Sequence, residues 1–303
     1  MPTIFTLGET IYDIIFEKDQ PRAARPGGSM LNTAVSLGRC GMKVEMITEL
    51  GVDKVGQIVM DFLSENGVST LFIKPSAVFK TPVSLAFLDE LGNAQYSFYK
   101  NYPENRLNIS WPEVKRGDVV LFGSFYSLDQ AIHAKIISFV KKARQNEAFI
   151  IYDPNIRKNH LGEIKKLMHF IEENIALADI VRGSDEDFEN LFGTTNPDEV
   201  FALIRKTGNA QFIMTRNKDG AELMTSALKL HVDVPVIQPV STIGAGDAFN
   251  AGIIFGIIRK GLAVNDLVDI NHDLWTEIIG FGITFASEVC MSYDNYISLP
   301  ERK

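Results

Sequence analysis

The residues best suited to chemistry lie in one short run, Ser241-Thr242-Ile243-Gly244-Ala245-Gly246-Asp247-Ala248-Phe249, which feeds an apolar stretch ending at Ile258. Two glycines and a small alanine let the backbone pass close to a ligand. At the mouth of a helix their N–H groups have no intrahelical acceptor and point outward, with the positive end of the helix dipole behind them, which makes an anion hole. Asp247 falls in the first helical turn. A carboxylate there either caps its own helix or stands beside a bound phosphate as a base, and spacing alone leaves both open. Two familiar phosphate motifs fail: position 249 is Phe where the dinucleotide fingerprint needs glycine, and there is no GKS or GKT run. HExxH and GxSxG are also missing.

The elements that must carry this turn alternate in type. Strand-like runs at Ile4–Leu7, Val44–Ile47, Thr70–Ile73, Val119–Phe122, Ala148–Tyr152, Ile180–Arg182 and Phe212–Thr215 are separated by helical patterns. These cover Ser29–Arg39, Val55–Glu65, Ala131–Arg144, Glu163–Ile175, Glu186–Phe192 and Pro197–Lys206, with a C-cap signal at Asn66-Gly67. Parallel strands need crossover helices, so this order predicts an α/β fold, with a mainly parallel sheet covered on both faces and ligands beyond the carboxyl ends of its strands. Two stretches break the rhythm. Thr81–Tyr99 reads as a hairpin around Glu90-Leu91-Gly92-Asn93, and Ile11–Phe16 reads as a further strand. Together they predict a small β-sheet projecting over the strand ends as a lid.

Composition bounds the class. The 303 residues are 46% hydrophobic and carry 30 Lys+Arg against 38 Asp+Glu, a formal charge of −8. That is an ordinary globular balance, large enough to fold without staples. An acidic chain with no basic stripe argues against nucleic acid as a partner. Cys40 and Cys290 are the only cysteines, far apart and without CxxC spacing, which points to a reducing, cytoplasmic setting. The longest apolar run, Ala248–Ile258, falls well short of the roughly 18 residues of a membrane span. No export leader is visible at the N-terminus.

The sequence resembles the ribokinase-like (PfkB) carbohydrate kinases across nearly its whole length. Ser241 to Asp247 is similar to that family's C-terminal signature, and Pro26-Gly27-Gly28-Ser29-Met30-Leu31-Asn32-Thr33-Ala34 to its N-terminal sugar-binding signature. Gly8-Glu9 with Asp13, Phe98-Tyr99-Lys100 and Asp153-Pro154-Asn155-Ile156-Arg157 add to the likeness, the last two being typical of the fructokinase branch. The resemblance implies a single doubly wound α/β domain over residues 1–303, with a discontinuous β-lid at about 11–26 and 81–100. It implies transfer of the γ-phosphoryl of MgATP to a sugar hydroxyl, most simply of fructose. Asp247 is then the base, with the amides of Gly244, Ala245 and Gly246 around the transferring group. Asp13, Gly28, Asn32, Lys100 and Arg157 bind sugar; Ser184, Thr215, Asn217, Gly220 and Asn271 bind nucleotide; Asp187 lies on the magnesium side.

Four departures qualify this. Asn217 replaces a glycine in the family's nucleotide turn, although asparagine tolerates the left-handed conformation needed there. Ser184 and Asp187 substitute in an Asn-x-x-Glu-like motif, and Ser184 also suits a helix N-cap. Ser241 stands where the family usually has Asp, which argues against stimulation by a monovalent cation. Lys100 stands for an Arg and gives up the bidentate grip on a carboxylate, favouring a neutral ketose over 2-keto-3-deoxygluconate. From another class, a catalytically weakened sugar-binding regulator fits the departures but not the intact run to Asp247. Pairing of two copies through an exposed lid edge is a further expectation from the family.

Overall fold

Runs such as Val119-Val120-Leu121-Phe122 and Phe149-Ile150-Ile151-Tyr152 are apolar on both sides of the pleat, so they are stable only in a sheet covered on both faces. The computed structural model, which describes residues 1–88, 94–156 and 161–299, places them at the centre of one. In chain order the elements are β1 (Ile4–Leu7), β2 (Ile11–Glu17), β3 (Gln20–Gly27), α1 (Ser29–Arg39), β4 (Val44–Gly51), α2 (Lys54–Glu65), β5 (Val68–Ser69), β6 (Ile73–Ser76), β7 (Val83–Leu88) and β8 (Ala94–Tyr99). The second half has β9 (Val119–Gly123), α3 (His133–Gln145), β10 (Phe149–Asp153), α4 (Leu161–Leu177), β11 (Ile180–Ser184), α5 (Asp185–Phe192), α6 (Pro197–Thr207), β12 (Gln211–Thr215), β13 (Ala221–Met224), β14 (Lys229–Val232), α7 (Ala245–Arg259) and α8 (His272–Cys290).

The large sheet runs β14-β13-β12-β11-β10-β9-β1-β4-β5, with β6 also pairing β4. Every pair from β12 to β5 is parallel, and β13 and β14 extend it antiparallel. The strand order reverses direction at β1/β9, where such sheets open a crevice. Alternate residues feed opposite cores. Ile4, Val119, Leu121, Phe149 and Ile151 pack with α1, α7 and α8 through Met30, Leu31, Ala248, Ile254 and Trp275. Their neighbours Phe5, Val120, Phe122, Ile150 and Tyr152 pack with α3 to α6 through Ile136, Val140, Ile171, Phe188 and Ile204.

The small sheet has the order β3-β2-β7-β8. β2 and β7 pair in parallel, and each carries an antiparallel partner at its other edge. The β2–β3 hairpin turns at Lys18 and Asp19, both at positive φ (50° and 60°), the mirror-image turn whose twist suits a tight hairpin. The hairpin expected over Thr81–Tyr99 is β7–β8; its turn at Glu90-Leu91-Gly92-Asn93 lies outside the described residues.

Two expectations shift. Thr70–Ile73 is not one strand: the chain pairs with β4 at Val68–Ser69, leaves it in a turn closed by Ile73 N–H to Thr70 O (3.1 Å), and returns as β6. Leu71, which fitted the apolar alternation, is exposed. The β13–β14 hairpin was not anticipated.

Helices α7 and α8 touch backbone to side chain. Added at Gly252, a Cβ would collide with the Phe281 carbonyl, and Gly282 lies under the Phe249 ring. Alanine in a helix gains about 1 kcal/mol over glycine, yet forced separation of buried helices costs about 1–3 kcal/mol. Gly252→Ala should therefore lower stability in urea unfolding. A variant more stable than wild type would contradict this packing.

Candidate active site

The carboxyl ends of the parallel strands deliver the polar residues: Asp153 closes β10, Ser184 closes β11, Thr215 closes β12, and Gly8-Glu9 follows β1. Above them α7 begins at Gly244. This residue sits at φ 83°, and a side chain there would strike the Asn295 carbonyl. Only glycine satisfies both demands. No side chain caps α7 at Gly244; the Ala245 N–H donates to the Thr242 carbonyl (3.3 Å), and the N–H groups of Gly246 and Asp247 lack an intrahelical acceptor, with the dipole behind them.

Asp247 does not cap its own helix. Its carboxylate turns toward α1, where Ser29 Oγ donates to Oδ1 (2.6 Å) and Asn32 Nδ2 to Oδ2 (2.8 Å), while Thr33 Oγ1 donates to its backbone carbonyl (2.9 Å). Burial pushes this carboxyl up to about 6; the Ser29 and Asn32 hydrogen bonds resist the shift, Asp153 adds to it, and Arg182 opposes it. Asn32 is itself buried, and its Oδ1 has no protein partner.

Beneath α7 lies a buried ionic lattice. Asp153 Oδ2 accepts from Arg182 Nη1 (3.0 Å) and Asn250 Nδ2 (2.6 Å), and its Oδ1 from the Asn155 amide (3.0 Å). Arg182 Nη2 donates to Thr215 Oγ1 (2.7 Å), and its guanidinium lies over the Phe249 ring. Asp187 and Ser184 form a capping box at the start of α5. Asp187 Oδ2 accepts from Ser184 N (2.7 Å) and Oγ (2.6 Å), and Oδ1 from the Ile156 amide (2.7 Å). Its carboxyl is raised by burial and by Asp153.

The remaining candidates fall into two groups. Toward the small sheet, Asp13 on β2 accepts a short hydrogen bond from Ser84 Oγ and lies against Gly27. Gly28, at φ 123° with the Glu9 carbonyl against it, is the single residue joining β3 to α1. Lys100, just after β8, pairs with both Glu9 oxygens (3.1 and 3.2 Å). Toward the opposite side, Asn217 has the left-handed φ of 48° that its turn requires, and Gly220 closes that turn by accepting from the Arg216 amide (2.9 Å). Asn271 is exposed and caps α8 through the Leu274 amide (2.9 Å). Arg157 lies outside the described residues.

Sequence reasoning did not find Arg182, Asn250 or Ser29 as members of this site. Arg182 did carry a signal: a cation inside the apolar run Ile180-Val181-Arg182 must be paired when buried.

A sequence profile described as pfkB family carbohydrate kinase matches residues 1–302. The chain belongs to this family. Among its relatives, the aminoimidazole riboside kinase of Salmonella typhimurium is 25% identical over 262 residues, covering 86% of this chain and 82% of that protein. The fructokinase of Escherichia coli is 24% identical over 267 residues, covering 87% of each. In fold, the kinase superposes on a fructokinase from Vibrio cholerae O395, crystallised with fructose, ADP and calcium, with a TM-score of 0.85 at 20% identity, over 99% of this chain and 96% of that one. It is thus an ATP-dependent sugar kinase with a ribokinase-like fold. Among the described residues, no helix is long and apolar enough to cross a membrane.

A carboxylate raised from 3.8 to about 6 opposes folding. Well below pH 3.8 it is mostly protonated whether folded or unfolded and costs little. Above pH 6 the folded state carries a charge it resists, at about 3 kcal/mol. Asp247→Asn should therefore raise stability in urea at pH 7, and the gain should shrink toward pH 4. Lower stability at pH 7 would show that the charge is better accommodated than burial implies.

Proposed function

We propose that this kinase transfers the γ-phosphoryl of MgATP to a hydroxyl of fructose. The observation that carries the choice of sugar is the Glu9–Lys100 pair. Lys100 follows directly on β8, the strand taken to border the sugar side, and its ammonium is already neutralised by a carboxylate. A pocket with that cation spent favours a neutral ketose over the carboxylate of 2-keto-3-deoxygluconate. Relatives named for fructose and for aminoimidazole riboside agree, since neither compound is an acid.

In this reading Asp13, Gly28 and Asn32 hold the sugar, with the buried Asn32 Oδ1 accepting from a hydroxyl. Asp247 accepts the proton of the attacking hydroxyl. The amides of Gly244, Ala245 and Gly246 hold the transferring group where charge develops. A positioned base contributes about 10²–10⁴-fold. Ser184, Thr215, Asn217, Gly220 and Asn271 border the nucleotide. The small sheet acts as a lid that excludes water, which would otherwise compete for the phosphoryl group.

Magnesium fits the same corner. Burial first, and then the charge of Asp153, push the Asp187 carboxyl upward, and a hard divalent cation takes carboxylate and phosphate oxygens. These two carboxylates would sit nearest the ion, which when bound draws charge off the phosphate oxygens. The lid's outer strands β3 and β8 offer edges to a second copy, and the sparse cysteines suit a cytoplasmic setting.

The test is ADP release from MgATP with fructose, tagatose, ribose, aminoimidazole riboside, fructose 6-phosphate and 2-keto-3-deoxygluconate. Fructose should give the highest kcat/KM, and Asp247→Ala should remove at least about 10²-fold of it. Glu9→Gln should shift the ratio of kcat/KM toward the sugar acid by up to about fivefold. A wild type that prefers the sugar acid would overturn the fructose reading.

A further inference from the structure

Among the charges near the strand ends, Arg182 is placed for more than neutralising its neighbours. It stands in the middle of β11, two residues before its carboxyl end at Ser184, is 5% exposed, and belongs to a strand otherwise built to be buried. Of the five N–H donors of a guanidinium, one is spent on Asp153 and one on Thr215, and the buried Nε has no partner. Each Nη also carries a second N–H beyond the bonds to Asp153 and Thr215, a donor for an arriving acceptor.

What it adjoins says what that is. A Cβ at Gly246 would lie 2.8 Å from Arg182 Nη1 and 3.2 Å from Nη2, so the guanidinium occupies the space a side chain would fill beside the middle of the Gly244–Asp247 turn. The absence of a side chain at Gly246 therefore lets a fixed cation flank the turn. That cation is held rigid by Asp153, Thr215 and the Phe249 ring.

We infer that Arg182 is a catalytic residue of this kinase, whose guanidinium meets the transferring phosphoryl group beside Gly246 and carries part of its charge in the transition state. The inference rests on the sugar-kinase assignment but not on the identity of the sugar. In the step, the bond from the γ-phosphorus to the β–γ bridging oxygen breaks, with its electron pair staying on ADP. A new bond forms from that phosphorus to the sugar oxygen, and the hydroxyl proton passes to Asp247. Charge on the equatorial oxygens is spread between the first-turn amides and Arg182. A preorganised donor at such a position is worth about 10²–10³-fold in turnover.

A purely structural Arg182, present only to balance Asp153 and Asp187, makes a different prediction, and transition-state mimicry separates the two. The affinities of ADP alone and of ADP with aluminium fluoride, each with Mg²⁺ and fructose, would be measured by calorimetry for wild type, Arg182→Gln and Arg182→Lys. Wild type should bind the fluoride complex at least about 10²-fold more tightly than ADP. Arg182→Gln should keep ADP affinity within about threefold while losing most of the fluoride enhancement, with kcat falling about 10²-fold at little changed KM for ATP. Arg182→Lys keeps the charge beside Asp153 and so guards against a variant that fails to fold; it should lose part of the enhancement. Undiminished enhancement in either folded variant, affinities for ADP and the fluoride complex that fall in parallel, or no enhancement in a wild type that turns fructose over would overturn the inference. Fluoride enhancement without fructose turnover in the wild type would instead sink the fructose reading and leave Arg182 standing.

Discussion

The contact between the first turns of α1 and α7 is the constraint on which the rest depends. A carboxylate taken out of water is costly, and Asp247 is tolerable as an anion only because Ser29 and Asn32 reach across from α1 and donate to both its oxygens. The two helices are far apart in the chain but lie side by side on one face of the sheet, where Met30, Leu31, Ala248 and Ile254 share a core. The apolar packing fixes the distance; the hydrogen bonds then use it.

That contact also joins the two ends of the site. Gly28 alone separates β3 from α1, so the small sheet that carries Asp13 is covalently adjacent to the residues gripping Asp247. The far end of the chain closes the arrangement. Asn295 packs its carbonyl against Gly244, Arg25 of β3 donates to the Tyr293 carbonyl, and Arg39 of α1 donates to the Ile297 carbonyl (2.6 Å). The small sheet, Asp247 and the Gly244 turn are therefore held to one frame. Its stability cost is concentrated in buried carboxyls raised by burial, Asp187 and Asp247, which is where an enzyme gives up folding free energy for function.

Much of the frame was legible because it is local. The helix at Ser29–Arg39 falls where its apolar period and Gly41 put it, and α2 ends at Asn66-Gly67 as its C-cap signal requires. The alternation of strand and helix announced a doubly covered, mainly parallel sheet. The Gly244–Asp247 turn was legible for the same reason, since its glycines act on their own backbone. What could not be read are pairings between distant residues. Asp153 meets Asn250 across 97 positions, and Asp247 meets Ser29 across 218. Lys100 as a candidate cation was visible; its neutralisation by Glu9, 91 residues away, was not. The strand expected at Thr70–Ile73 failed because apolar type alone cannot distinguish a residue turned outward, Leu71, from one facing a core.

The central claim is that Asp247 acts as a base in its ionised form, held there by α1. The most direct measurement is the pH dependence of kcat/KM for wild type and Ser29→Ala. Ser29 donates to Asp247 Oδ1, and removing it takes away a bond that favours the charged carboxylate. The wild-type rate should fall tenfold per pH unit below an apparent pKa of about 6, and that limb should move to higher pH in Ser29→Ala. A rate independent of pH between 5 and 8, or an acid limb that stays in place in the variant, would contradict the account.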